Sequence, residues 1–214
     1  MERELIAPSP RLRQAVEQVC RLDSDFARVE AQVGPLSVRQ WPATYAALVR
    51  TITGQQLSAL AARAIFARLE ALLNPITPEN VLACGEESLK QAGLSRTKVA
   101  TCRALAERVV SGELPLDDLS DWEDSAIVAK LTQVKGIGPW TAEIFMLFCL
   151  ERLDALPASD LAIQVGYQRL KGLGDRPSAK ELRQRCEPLQ PYRGVVAHLM
   201  WHYYRYATGR VGQP

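Results

Sequence analysis

The chain has 214 residues, 47% of them apolar and 23% charged, and 26 Lys and Arg against 24 Asp and Glu leave a net charge of +2. That length is enough for one large or two small domains with a buried core, and the composition excludes disorder and repeat fibres. The small net charge gives no sign of nucleic-acid binding by itself, so any such function has to rest on local sites.

The opening Met-Glu-Arg-Glu-Leu has no apolar stretch of a secretory leader, and the longest run without a polar side chain, Ile144 to Leu150, is far short of a bilayer span. The expectation is a soluble, unprocessed chain with no membrane partner. Five cysteines at positions 20, 84, 102, 149 and 186 include no C-x-x-C pair, which speaks against a disulfide framework, a zinc ribbon and a four-cysteine Fe–S cluster. A reducing, cytoplasmic compartment fits, nucleoid-associated if the source is bacterial. The two histidines, His198 and His202, share helical i,i+4 spacing without a metalloprotease glutamate, and read as a partly exposed helical pair.

Helix punctuation is dense. Ser9-Pro10 and Thr77-Pro78 pair an oxygen-bearing cap with Pro at the first helical position, and Ser120-x-x-Glu123 and Ser178-x-x-Glu181 have capping-box spacing. Between such signals apolar residues recur at helical period, as in Val99, Cys102, Leu105, Ala106 and Val109, or Val195, Val196, Leu199, Met200 and Tyr203. The spacing predicts helices over 10–21, 43–51, 55–73, 78–83, 86–92, 95–111, 121–132, 139–150, 160–170, 178–187 and 192–206, with no sustained strand. An all-α, bilobal fold with a cleft between the lobes follows. Its parts are expected to be a helical extension (1–40), a first helical lobe (41–114) and a second region (115–214) whose last helices pack back on the lobes.

Charge is unevenly spread. Residues 113–160 hold three basic and ten acidic side chains and 164–214 hold nine basic and three acidic, with a further basic cluster at Lys90, Arg96, Lys98, Arg103 and Arg108. Solvated helix faces would explain this as well as a polyanion partner would.

The segment Val134-Lys135-Gly136-Ile137-Gly138-Pro139 stands between two helical stretches. Its glycines permit a turn too tight for side chains, and Pro139 starts the next helix without losing a needed donor. Free amides of such a turn, together with the helix N-terminus, can hold a phosphate. A plain αα-hairpin is the alternative. Twenty residues after Trp140, Pro157-Ala-Ser-Asp160-Leu puts an aspartate at a helix start, where an ordinary N-cap is the simplest role.

Taken together, Leu131-Thr-Gln-Val-Lys-Gly-Ile-Gly-Pro-Trp-Thr-Ala142 and Pro157-Ala-Ser-Asp160-Leu resemble the helix-hairpin-helix plus Gly/Pro-Asp (HhH-GPD) signature of the base-excision DNA glycosylase superfamily. Ile52-Thr-Gly-Gln-Gln-Leu-Ser58 and Pro191-Tyr-Arg-Gly-Val-Val-Ala-His-Leu-Met-Trp201 are similar to the branch that removes alkylated bases, the 3-methyladenine glycosylase II type. The resemblance spans about residues 40–206. Only about 40 residues precede it, which implies a compact member without the N-terminal mixed α/β lobe of longer relatives.

The resemblance implies a catalytic carboxylate at Asp160, a base pocket with Trp140 and Trp201, and Ile144 where some relatives have an aromatic pocket wall. Gln56 falls at the position that wedges into the vacated base stack. Backbone contacts fall on Lys135, Gly136, Ile137, Gly138, Pro139 and Thr141, with Ser58, Arg96, Lys98 and Arg193 as further candidates. Main-chain carbonyls of Thr132, Val134 and Ile137 match a structural Na+ or K+ site of relatives, and no cofactor is otherwise required. Relatives that also cut the backbone carry Lys where this chain has Trp140, and an indole forms no Schiff base. The function implied is monofunctional excision of 3-methyladenine, 7-methylguanine and related bases from damaged double-stranded DNA, by a monomer with no obligate protein partner. Two alternatives stay open: the same fold acting on deaminated or mismatched pyrimidines, and a non-catalytic hairpin module that only binds damaged DNA.

Overall fold

The computed structural model describes residues 5–207. They form twelve α-helices: α1 (Pro10–Leu22), α2 (Ala27–Val33), α3 (Tyr45–Gly54), α4 (Ala59–Leu73), α5 (Pro78–Ala83), α6 (Glu86–Gln91), α7 (Arg96–Val110), α8 (Asp124–Leu131), α9 (Pro139–Cys149), α10 (Leu161–Leu170), α11 (Ala179–Cys186) and α12 (Arg193–Ala207). Three short 3-10 turns, Ser24–Phe26, Leu116–Asp121 and Glu187–Leu189, join some of them. Among the described residues the β pairing is a single isolated bridge, Ile6 with Val38. None of these helices is long and apolar enough to cross a membrane.

Most boundaries follow from capping chemistry. Ser9, Thr77 and Ser178 accept the expected N-terminal amides, and Ser178 with Glu181 makes a full reciprocal box. Ser120 does not: residues 116–121 close as a 3-10 turn, its hydroxyl meets Asp121 at 3.4 Å, and α8 begins after Glu123 without a side-chain cap. The expected helix over 55–73 begins only at Ala59. Ser58 caps it there, and the chain before it turns through Gln56, whose φ of 57° is incompatible with a right-handed helix. Helix α2 lacks an N-terminal oxygen cap, so punctuation did not announce it. It is held by tertiary contact instead: Arg13 Nη1 donates to both Glu30 carboxylate oxygens at 2.7–2.8 Å, and the Leu36 amide donates to Glu30 Oε1 at 2.6 Å.

The chain divides into two compact units, one made of the described residues up to Gln40 and from Met146 on, the other of Trp41–Phe145. This differs from the segmentation expected at 40 and 114. Residues 5–40 share a compact unit with the chain from Met146 on, α1 and α2 packing on α12, and the hairpin segment belongs with α3–α7.

In the first unit α10 and α12 form the principal packing pair. Gly166 is the reason they approach so closely: a Cβ there would stand 2.8 Å from the Met200 carbonyl oxygen and 3.3 Å from Met200 Cβ. The core around them includes Ile163, Tyr167, Leu182, Val195, Val196, Leu199 and Met200. Gly166→Ala is therefore expected to destabilise the protein. Overpacking against backbone costs about 1–3 kcal/mol, of which the better helix propensity of Ala offsets at most ~1 kcal/mol. A urea midpoint unchanged from the parent would contradict this.

In the second unit α5 and α3 pack on α7, with Leu48, Ile52, Leu69, Leu89, Leu105 and Ile127 fully buried. Tyr45 Oη donates to the Cys102 carbonyl at 2.9 Å, and Arg103 Nη1 caps the end of α5 by donating to the carbonyls of Val81, Leu82 and Cys84.

Candidate active site

The hairpin lies between α8 and α9. Val134 and Ile137 are buried and fix the turn from inside, while Lys135 and Gly136 are exposed. The Ile137 amide closes the turn on the Val134 carbonyl at 3.0 Å. The two glycines do different work. Gly136 has φ +97° and faces α7, so that a Cβ would collide with Thr101 Oγ1 and approach its Cβ and Cγ2 to 3.0 Å. Gly138 has an ordinary φ, and its Cβ would meet nothing within 4 Å. The first glycine is demanded by packing; the second leaves open space beside the backbone at the start of α9. The Gly138 carbonyl takes the amides of Thr141 and Ala142, which leaves the earliest amides of the helix directed outward, as at every helix start.

A second turn joins the hairpin in the same unit. After α3 the chain runs through Gln55, Gln56 and Leu57 before Ser58 starts α4. Gln55 Nε2 donates to the Gly136 carbonyl at 3.1 Å and to Thr141 Oγ1 at 2.9 Å. Lys98, reaching from α7, donates from Nζ to the carbonyls of Thr53 and Gln55, both at 2.8 Å. Its partial burial pulls its pKa below the usual lysine value. Gln56 is exposed at the tip, in the left-handed region, with exposed Leu57 after it. An open concavity of about 370 Å³ beside this turn is lined by Gln55, Gln56, Leu57, Ser95, Thr97, Lys98, Thr101 and Gly136.

The carboxylate belongs to the first unit. The loop through Pro157 tightens by hydrogen bonds from Ala158 N to Leu156 O and from Asp160 N to Pro157 O, and buried Gln164 donates from Nε2 to the Ala158 carbonyl at 2.8 Å. Asp160 then starts α10: its Oδ1 accepts the amides of Ala162 at 2.9 Å and Ile163 at 3.2 Å. The same oxygen accepts Trp201 Nε1–H from α12 at 3.1 Å. The ordinary capping role is thus real, and the indole is added to it.

Trp201 is itself braced. Phe148 lies 5.1 Å away between ring centroids at 43°, and His198 lies 6.3 Å away, nearly edge-on at 75°. His198 is not partly exposed as expected but buried, and burial pushes its pKa down to about 3, so the ring is neutral. His202 is buried too: Nε2–H donates to the Gly34 carbonyl at 3.1 Å and Nδ1 accepts from Arg205 at 3.2 Å, a pattern that fits the neutral ring.

Several expected contacts have other duties. Thr141 is buried, with its hydroxyl accepting from Gln55, and is not presented to a ligand. Ile137 is a core side chain, so only its backbone is available to bind, and Ile144 is buried as well. The Lys98 ammonium is turned inward onto two carbonyls, away from the role of a phosphate contact. Ser58 Oγ accepts the Ala61 amide as the α4 cap. Arg193 pairs with Asp154, donating from Nε at 2.9 Å and from Nη2 at 2.5 Å while its own amide also reaches that carboxylate. Lys135 and Arg96 are exposed, as a phosphate contact requires. Trp140, half-buried, stands in the unit of the hairpin, and Trp201 in that of the carboxylate.

Sequence reasoning missed Phe148 and His198 as supports for Trp201, and Gln55 as the residue that ties turn to hairpin. In the sequence Gln55 and Gln56 look alike; only the positive φ of Gln56 separates their roles.

An all-helical fold with a glycine hairpin and an aspartate-capped helix defines a class, and comparison with known proteins gives its name. Residues 49–191 match the model of the HhH-GPD superfamily base excision DNA repair proteins, and the chain belongs to that superfamily. The chain is 32% identical to DNA-3-methyladenine glycosylase 1 of Schizosaccharomyces pombe over 207 residues, covering 94% of this chain and 90% of the relative. The solved structure of the S. pombe 3-methyladenine DNA glycosylase Mag1 in complex with abasic DNA superposes with a TM-score of 0.80 at 29% identity, over 91% of this chain and 97% of that one. The crystal structure of a DNA-3-methyladenine glycosidase from Bacillus halodurans gives 0.78 at 33% identity, over 96% and 94%.

Proposed function

We propose that this chain is a monofunctional DNA glycosylase of base excision repair, which extrudes alkylated bases, 3-methyladenine and 7-methylguanine foremost, and hydrolyses their N-glycosidic bonds. The observation that carries the reading is Asp160 held by two helix amides and the Trp201 indole, all on Oδ1. The two amides and the indole fix the carboxylate in direction, and we assign that carboxylate to the reacting sugar.

Breaking the bond to C1′ builds positive charge on the deoxyribose. A preorganised carboxylate lowers that barrier and orients the attacking water. Alkylation at a ring nitrogen leaves many purines cationic and ready to depart, so a strong general acid is unnecessary. The neutral His198 is in keeping with that economy.

The hairpin supplies the grip on the strand. Outward amides at Gly138 and the first turn of α9 suit a phosphate, and the open space beside Gly138 lets it approach the backbone. Lys135 and Arg96 add exposed positive charge. Extrusion costs a few kcal/mol, less at a weakened pair, and Gln56 at the tip of its turn fills the gap. Trp201, bonded to the carboxylate, is an indole on which a cationic base can stack, at roughly 0.5–2 kcal/mol per contact, and Trp140 in the hairpin's unit is a second candidate. We carry the monovalent-cation assignment onto the carbonyls of Thr132, Val134 and Ile137, uncharged oxygens of which Val134's already accepts the Ile137 amide. Such an ion would stiffen the turn and add positive charge facing a phosphate.

The test is incubation with methylated duplex and chromatography of what is released. Free 3-methyladenine and 7-methylguanine are expected, with the strand intact until alkali is added. Absence of released base refutes the reading. Strand breaks without alkali, or a borohydride-trapped adduct, refute the monofunctional assignment that the indole at position 140 supports.

A further inference from the structure

We infer that Gln55 and Lys98 are positioning residues that set the Gln56 turn relative to the hairpin, so that gripping a phosphate and filling the vacated stack are performed by one braced assembly. The inference deepens the proposed function and rests on it. Four bonds carry it, all within one compact unit: Gln55 Nε2 to Gly136 O and to Thr141 Oγ1, and Lys98 Nζ to Thr53 O and to Gln55 O.

The chemistry of each bond points the same way. The last carbonyls of α3 have no helical donors of their own, and a cation there satisfies both hydrogen-bonding capacity and the negative end of the helix dipole. Lys98 gives that cation from the neighbouring helix, pulling the end of α3 against α7. Gln55 then holds its turn to the hairpin from the opposite end: one amide group bridges the backbone of Gly136 and the hydroxyl of Thr141. Neither side chain needs to reach DNA. What they constrain is the residue between these anchors and Ser58, Gln56, which sits in a backbone region that non-glycine residues adopt only when their surroundings impose it. An amide free to rotate would search for the gap; one held on a fixed turn enters it preformed.

The experiment uses full-length protein and two duplexes, one carrying 7-methylguanine and one carrying a tetrahydrofuran abasic analogue with 2-aminopurine as the facing base, whose fluorescence reports filling of the stack. Gln55→Glu keeps shape but sets an acceptor against the Gly136 carbonyl, Lys98→Met removes both cation bonds, and Gln56→Ala removes the filler. Gln55→Glu and Lys98→Met are each expected to slow single-turnover excision about tenfold and to abolish most of the 2-aminopurine change. Affinity for undamaged duplex should stay within about twofold. In a Gln56→Ala background either change should add almost nothing, since both act through that residue. Full multiplication of the two effects, or a parental fluorescence change in both single variants, would overturn the inference. Melting curves identify a variant that fails to fold, and the other variant then decides. A parent protein that releases no base refutes the proposed function instead, while the abasic duplex still reports whether the turn inserts.

Discussion

Asp160→Asn should abolish excision while leaving the protein folded and able to bind DNA. An asparagine placed with its amide oxygen at the Oδ1 position still accepts the amides of Ala162 and Ile163 and the Trp201 indole, so α10 keeps its cap and the indole its anchor. Stability should change by no more than about 1 kcal/mol. What disappears is the negative charge opposite the developing cation, and loss of one preorganised electrostatic contact of this kind slows reactions by about 10²–10³-fold. The measurement is single-turnover release of 7-methylguanine, with binding to an abasic-analogue duplex as control. Release within threefold of the parent would remove Asp160 from the chemistry. An unfolded variant would mean that the carboxylate charge itself, and not merely its oxygen, holds the helix start.

The two hairpin glycines should separate folding from binding. Gly136→Ala must put a side chain at φ +97° and displace Thr101, so a loss of about 2–5 kcal/mol is expected from backbone and packing together. Adding Thr101→Ala should recover the packing share and leave the backbone share. Gly138→Ala, with ordinary φ and no neighbour within 4 Å, should melt within a few degrees of the parent. Its methyl group would nonetheless occupy the space that the proposed phosphate contact needs, and affinity for an abasic-analogue duplex should then fall about tenfold. Fluorescence anisotropy checks the second claim. Parental affinity in Gly138→Ala would show that no phosphate approaches that backbone, and parental stability in Gly136→Ala would contradict the tight facing of hairpin and α7.

Helices announced by oxygen caps and periodic apolar residues were legible in the sequence, because both signals are local; α1, α5 and α11 begin where Ser9, Thr77 and Ser178 say they should. Tertiary bonds were not legible. Helix α2 is secured by Arg13, seventeen residues before Glu30, and nothing within the helix itself marks its start. Ser120 shows the converse, since its spacing to Glu123 mimics a capping box while the local chain prefers a 3-10 turn. At the candidate site the motif positions Asp160, Gly136 and Gly138 could be read directly. Which cations remained available could not be. Lys98 and Arg193 look like ordinary basic side chains until their partners, Thr53 and Gln55 for one and Asp154 for the other, are seen in space.

The buried imidazole behind Trp201 has a bearing on charge selection. A histidine near its usual pKa would become cationic in mildly acidic conditions and repel a positively charged purine from the indole that the proposed function assigns to hold it. His198, whose pKa burial pushes down to about 3, gives the indole an edge-on neighbour that stays uncharged in mildly acidic conditions. Under the proposed function, preference for cationic nucleobases is therefore expected to persist at mildly acidic pH, because the imidazole behind the stack stays neutral there.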